Sequence, residues 1–110
     1  MKTEVGIPVY NAVDTLPRAL ESLVNQTVSD FGICLSIDGD EHLEEYLDIA
    51  NEFSARGLNI RTIYSNINGG PGMARQNVLN TTEAEYLMYL DADDLFTPRA
   101  VEVLTYVIDQ

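Results

Sequence analysis

Residues 86–94 read YLMYLDADD, an apolar run of five side chains that stops at an aspartate. An apolar run without polar alternation is typical of a strand that is covered on both faces, as in parallel sheets. Strand-like segments at 3–7, 32–37 and 59–64 precede it, and segments with helical spacing separate the four. Strand-then-helix units favour parallel pairing with right-handed crossovers. The sequence therefore predicts a doubly wound α/β fold, with a mainly parallel four-stranded sheet and helices on both faces.

Helices are predicted at residues 14–26, 41–56, 71–79 and 98–108, where apolar residues recur at three- and four-residue spacing. In the second helix we expect one buried side, with Gly57 as the stop after it. The residues of that side are Leu43, Leu47, Ala50 and Phe53. We expect Pro8 to end the first strand, because proline has no N–H for a sheet.

Composition limits the possible partners and the location. The 110 residues carry 18 acidic and 6 basic side chains, a formal charge of −12, which argues against contact with nucleic acid or an anionic membrane. A hydrophobic content of 45% excludes disorder, and one cysteine excludes an internal disulfide. No leader and no apolar stretch of membrane-spanning length is evident, so we expect one soluble, cytoplasmic domain over residues 1–110.

Residues of unusual type follow each predicted strand. Pro8, Val9 and Tyr10 follow the first, Asp38 the second, a glycine-rich run from Asn68 the third, and an acidic run the fourth. In open α/β sheets, ligands bind beyond the carboxyl ends of the strands. We therefore expect a ligand site at this edge of the sheet.

The acidic run suggests a cation site. In an extended segment Asp91 and Asp93 would share a face and converge on one point. Two carboxylates that close repel each other unless a proton or cation lies between them, and hard oxygen ligands suit Mg²⁺ or Mn²⁺. The alternative is a solvated loop in which Asp94 caps the next helix.

Two other polar residues also allow two interpretations. Arg75 lies one turn inside the predicted third helix, where it would offer a guanidinium to a phosphate or form an ion pair with a nearby carboxylate. Asp38 would accept hydrogen bonds from a base or ribose, or it would serve as a turn residue. Both alternatives stay open at this point.

Taken together, these segments resemble the N-terminal half of a GT-A glycosyltransferase of family 2. The matching stretches are IPVYNA at 7–12, ALESLVNQT at 19–27, DG at 38–39, NGGPGMAR at 68–75 and EYLMYLDADD at 85–94. They cover nearly the whole chain in the right order. The sequence departs from the family where Ile37 replaces a first aspartate, and where Gln76 and Val78 replace an asparagine and a glycine.

The resemblance implies a Rossmann-like nucleotide-binding half with strand order 3-2-1-4. It implies an inverting, metal-dependent transfer of sugar from a nucleotide-diphosphate sugar, usually a UDP-sugar, to an acceptor hydroxyl of an unknown sugar or polysaccharide. Asp38 would contact the base, Asp93 with Asp91 would hold Mn²⁺ or Mg²⁺, and Arg75 would lie near the phosphates. The donor-binding residues implied are Pro8, Val9, Tyr10, Asp38, Asn68, Arg75, Asp91 and Ala92.

Family members run to roughly twice this length, and a catalytic domain of 110 residues would lie low in the usual domain range. We expect this chain to be a truncated, donor-binding half whose general base lies beyond Gln110. A competing interpretation is a non-catalytic nucleotide- or partner-binding module. The apolar run Tyr86–Leu90 would expose an unpaired edge, so a homodimer through that edge is a further expectation.

Overall fold

The computed structural model describes residues 3–39, 41–66 and 69–109, in which four strands alternate with four helices. In chain order they are β1 (Thr3–Val9), α1 (Leu16–Val24), β2 (Gly32–Asp38), α2 (Leu43–Ala55), β3 (Asn59–Ser65), α3 (Gly70–Thr81), β4 (Tyr86–Tyr89) and α4 (Ala100–Asp109). The strands form one sheet in the order β3-β2-β1-β4, and every pair is parallel. The predicted fold class and strand order are confirmed.

The prediction that Pro8 ends the first strand is wrong, because β1 continues to Val9. Residues two apart in a strand direct their backbone N–H and C=O groups toward the same neighbouring strand. The Gly6 carbonyl is directed toward β4, since it accepts a hydrogen bond from Leu90 N at 3.0 Å. Pro8 faces that same side two residues later, after β4 has ended at Tyr89. Its missing N–H therefore breaks no hydrogen bond of the ladder.

The main hydrophobic core lies on the face of the sheet that α1 and α2 cover. Alternate residues of the two central strands point into it, and Val101 of α4 joins them. The strand residues are Val5, Ile7, Val9, Ile33, Leu35 and Ile37, all at most 1% exposed. Burial of this size drives folding through the hydrophobic effect.

The opposite face, covered by α3, is more polar. Ser36 Oγ donates to the Ala74 carbonyl at 2.8 Å, and Glu4 accepts from Arg61 at 2.8 and 2.9 Å. At Gly6 a Cβ would lie 3.0 Å from Val78 Cγ1, so only glycine lets α3 approach this closely. Helices thus cover both faces, as predicted.

The buried side of α2 differs from the prediction. Tyr46 is fully buried while Leu47 is 37% exposed. The Tyr46 hydroxyl accepts a hydrogen bond from Ala12 N at 3.0 Å, which satisfies its one polar atom inside the core. The correct spacing, 43-46-50-53, alternates three and four residues and was available in the sequence.

The other predicted boundaries agree with the structure to within two residues, and all four strands begin where predicted. Shifts of two residues occur at both ends of α1, at the starts of α2 and α4, and at the end of α3. Among the described helices, none combines the length and the apolar character required to cross a bilayer.

Candidate functional site

A cleft of about 370 Å³ opens at the carboxyl ends of β1 and β2, beside the start of α3. Because β4 is shorter than β1, the end of β1 extends past it and leaves this edge open. The cleft brings together every predicted site residue that the structure describes: Pro8, Val9, Tyr10, Asp38, Arg75, Asp91, Ala92 and Asp93. Asn68 lies outside the described residues. The cleft is also lined by five residues that were not predicted as site residues: Asn11, Ala12, Thr15, Pro71 and Ala74.

The three aspartates after β4 lie in a turn, which we call the acidic turn (Asp91–Asp94). Asp94 N donates to the Asp91 carbonyl at 2.9 Å, so the predicted extended geometry is wrong. The turn nevertheless brings one carboxylate oxygen each of Asp91, Asp93 and Asp94 within 4.8 Å of one another. Asp94 therefore belongs to this group and does not cap α4, which begins at Ala100.

Arg75 forms an ion pair with the acidic turn. Its Nη2 lies 2.8 Å from Asp91 Oδ1, and both side chains are about half-exposed. The Tyr89 hydroxyl donates to the Arg75 carbonyl at 3.0 Å and ties α3 to β4 at this point. The guanidinium thus places one positive charge in the wall of an otherwise acidic cleft.

Asp38 connects the end of β2 to the start of α3. Its Oδ1 accepts from Gly69 N and its Oδ2 from Gly70 N, both at 2.9 Å, and the side chain is 4% exposed. A carboxylate is stabilised at a helix N-terminus because free N–H groups and the helix dipole face it. Each oxygen keeps a second acceptor position, so a base contact is compatible with this arrangement and stays a prediction.

The loop between β1 and α1 forms the third wall. Asn11 adopts φ 50, a left-handed conformation that asparagine tolerates better than most residues. Ala12 N is held by the buried Tyr46 hydroxyl, while Tyr10 is 54% exposed at the mouth of the cleft. An exposed ring on an anchored loop is suited to stacking against a planar ligand.

Comparison with known proteins gives a consistent result. The family model "Glycosyl transferase family 2" matches residues 4–110. A poly(ribitol-phosphate) beta-glucosyltransferase of Bacillus spizizenii is 36% identical over 104 residues, which is 92% of this chain and 16% of that protein. A chondroitin synthase of Escherichia coli is 35% identical over 99 residues, 90% of this chain and 14% of that protein.

The fold has a close counterpart among solved structures. S. aureus TarS 1–349 in complex with UDP-GlcNAc superposes with a TM-score of 0.87 at 27% sequence identity. The match covers 99% of this chain and 31% of that one. The chain therefore spans less than a third of each of these proteins.

Proposed function

Because this chain belongs to glycosyl transferase family 2, we propose that its cleft binds a nucleotide-diphosphate sugar, a UDP-sugar. In the whole protein the sugar would pass to an acceptor hydroxyl with inversion at the anomeric carbon. The observation that carries this proposal is the single cleft that unites Tyr10, Asp38, Arg75 and the acidic turn. The UDP-GlcNAc complex of TarS, which has the same fold over nearly the whole chain, supports the donor class.

The walls of the cleft suggest how the donor lies. Tyr10 and Asp38 offer a ring and a hydrogen-bond acceptor, which suit a pyrimidine base. Asp91 and Ala92 line the same cleft and would border the ribose. The diphosphate would then reach Arg75 and the acidic turn, where a guanidinium can bind phosphate oxygens in a bidentate manner.

The acidic turn fits a hard divalent cation. Three exposed carboxylates offer oxygen atoms within 4.8 Å of one another, and Mg²⁺ or Mn²⁺ binds through such groups together with substrate phosphates. Asp93, Asp91 and Asp94 would hold the ion. When bound, it would supply Lewis-acid stabilisation of the negative charge that develops on the departing UDP.

The net charge of −12 on the whole chain also favours a role for a divalent cation. A bare diphosphate would be repelled by this charge. Arg75 supplies one positive charge, and it is already paired with Asp91. We therefore expect nucleotide binding to depend on the divalent cation.

A nucleotide-sugar panel tests the activity. UDP-, GDP- and ADP-sugars would be incubated with and without Mn²⁺, and release of the nucleoside diphosphate measured. We expect UDP to be released from UDP-sugars, and only when Mn²⁺ is present. Equal release from all donors, or release that persists in EDTA, contradicts the proposal. Tight UDP binding without release, measured on the whole protein, would favour the alternative, a nucleotide-binding module without transfer chemistry.

Replacement of Asp38 by alanine should weaken UDP binding by about 1–3 kcal/mol, the usual cost of losing a hydrogen bond to a buried acceptor. The same change removes the partner of Gly69 N and Gly70 N, so thermal unfolding must be followed in parallel. Calorimetry well below the unfolding transition gives the affinity. Unchanged affinity in the folded variant would place Asp38 outside the donor site.

We also propose self-association through the outer edge of β4. Of the described strands, β4 ends the sheet order and pairs with β1 alone, and Tyr89 is 39% exposed. An apolar edge without charge or proline favours pairing with another strand. Sedimentation at micromolar loading should show a dimer. A 12.2 kDa monomer at every loading would contradict this proposal.

A further inference from the structure

Three polar residues, one in the last turn of α1 and two just after it, hold the segment that follows the acidic turn. We call Ser22, Gln26 and Thr27 the α1 clamp. Phe96 N donates to Ser22 Oγ at 3.1 Å, and Thr27 N donates to the Pro98 carbonyl at 2.8 Å. These residues are more than 70 positions apart in sequence, so the contacts fix tertiary structure and not a local turn.

Gln26 is the centre of the clamp. Its Nε2 donates to the Thr97 carbonyl at 2.8 Å, and its Oε1 accepts from Val101 N at 3.0 Å. Val101 is the second residue of α4, where a backbone N–H has no acceptor within the helix. Gln26 therefore caps α4 from another element. A further bond from Nε2 to the Ser22 carbonyl, at 2.9 Å, fixes the orientation of the amide.

Thr27 adds a side-chain contact on the other side of the segment. Its Oγ1 donates to Glu102 Oε2 at 2.8 Å, and Arg99 Nε lies 3.3 Å from the same oxygen. The segment 96–102 is thus attached to α1 through backbone and side-chain bonds. The first attached residue, Phe96, comes two positions after Asp94.

The acidic turn is consequently held at both ends. On its upstream side, Leu90 N donates to the Gly6 carbonyl at 3.0 Å and continues the pairing of β4 with β1. On its downstream side the α1 clamp holds the segment from Phe96 to Val101 in place. Hydrogen bonds around a metal site hold the ligand groups in the orientation that binds the ion.

We propose that Ser22, Gln26 and Thr27 are positioning residues for the acidic turn. This inference rests on the proposed function, namely that a divalent cation at the turn joins the chain to a nucleoside diphosphate. The clamp residues touch neither cation nor nucleotide. They act by restricting the backbone that carries Asp93 and Asp94.

The test compares Gln26→Met, which keeps the length of the side chain and removes the amide, with Asn25→Ala. Asn25 is the neighbouring exposed amide and makes the matched control. UDP affinity is measured by calorimetry in Mn²⁺ and in EDTA, and thermal unfolding is recorded for each protein. We expect Gln26→Met to lose about 10-fold in Mn²⁺-dependent affinity, the lower end of the effect of supporting residues around metal ligands. Asn25→Ala should match the wild type.

A merely structural role would lower the unfolding temperature of Gln26→Met and leave the affinity of the folded protein unchanged, which would overturn the proposal. If Gln26→Met does not fold, Ser22→Ala decides instead, because alanine is the best helix former. That change removes the acceptor for Phe96 N and a donor to the Ala19 carbonyl within α1. Wild-type affinity that is equal in Mn²⁺ and EDTA would defeat the proposed function. If the wild type depends on Mn²⁺ and both Gln26→Met and Ser22→Ala keep that dependence in full, only the positioning role of the α1 clamp is contradicted.

Discussion

Replacing Asp93 with alanine should abolish the Mn²⁺ dependence of UDP binding and leave the fold intact. Asp93 is exposed and lines the cleft, and its carboxylate lies within 4.8 Å of those of Asp91 and Asp94. Loss of residues that merely support metal ligands costs about 10–100-fold in affinity, so loss of a ligand should cost at least about 100-fold. Calorimetry of UDP in Mn²⁺ measures the loss.

The control for this variant is Asp48→Ala. Asp48 is an exposed carboxylate on α2, away from the cleft, and its removal changes the net charge by the same amount. The two variants therefore separate a specific ligand from the general acidic field. If Asp48→Ala loses as much affinity as Asp93→Ala, the loss does not come from a cation ligand at the acidic turn. If Asp93→Ala unfolds, its role is structural.

The second large effect concerns stability. Glu4 is 1% exposed and its carboxylate receives two hydrogen bonds from Arg61, which is 33% exposed. Removing one partner of a buried ion pair leaves an uncompensated charge in the interior and costs about 3–5 kcal/mol. Since Arg61 is partly exposed, we expect Arg61→Met to lower the free energy of unfolding by about 3 kcal/mol, the lower end of that range. Urea unfolding measures the change.

The pH dependence gives the same prediction a second readout. Burial raises the pKa of Glu4, but hydrogen bonds from Arg61 and Thr82 and the charge of Arg61 outweigh it, so the pKa lies below its ordinary value of 4.5. In the wild type, the stabilisation from Glu4 is complete above pH 4.5 and is lost as pH falls through the lowered pKa. Without Arg61, burial dominates and raises the pKa of Glu4, so acidification relieves the variant. The difference in stability should therefore begin to shrink above pH 4.5, where Glu4 of the variant takes up a proton, and shrink further below pH 4.5, where the wild type loses its stabilisation.

A matched control is present in the same chain. Arg56 pairs with Glu21 at 2.6 Å, and their side chains are 41% and 46% exposed. Exposed pairs contribute about 0–1 kcal/mol because water screens the charges. Arg56→Met should therefore cost much less stability than Arg61→Met. Equal costs for Arg56→Met and Arg61→Met would show that burial of Glu4 is not what makes its pair strong.

The fold could be predicted from the sequence because apolar strand-like runs alternate with segments of helical spacing, and polar residues mark where the strands end. Two errors had local causes. Pro8 was predicted to end β1, since the sequence does not show that β4 would be too short to require its N–H. The predicted buried side of α2 contains Leu47 and not Tyr46, and the sequence does not show that Ala12 N would satisfy the Tyr46 hydroxyl inside the core.

The site was predictable as a set of residues but not as a geometry. From the sequence, Asp91 and Asp93 were expected to converge on an extended segment. In the structure a turn brings their carboxylates together and adds that of Asp94. The contacts of Gln26 with Thr97 and Val101 join residues more than 70 positions apart. Such contacts depend on how the end of α1 packs against residues 96–101, which no local pattern specifies.

The central claim is that the cleft binds a nucleoside diphosphate through a cation at the acidic turn. Titration of UDP into the wild-type chain by calorimetry, once in Mn²⁺ and once in EDTA, tests it most directly. We expect saturable binding at one site in Mn²⁺ and no measurable heat in EDTA. Equal affinity in the two buffers would contradict the claim.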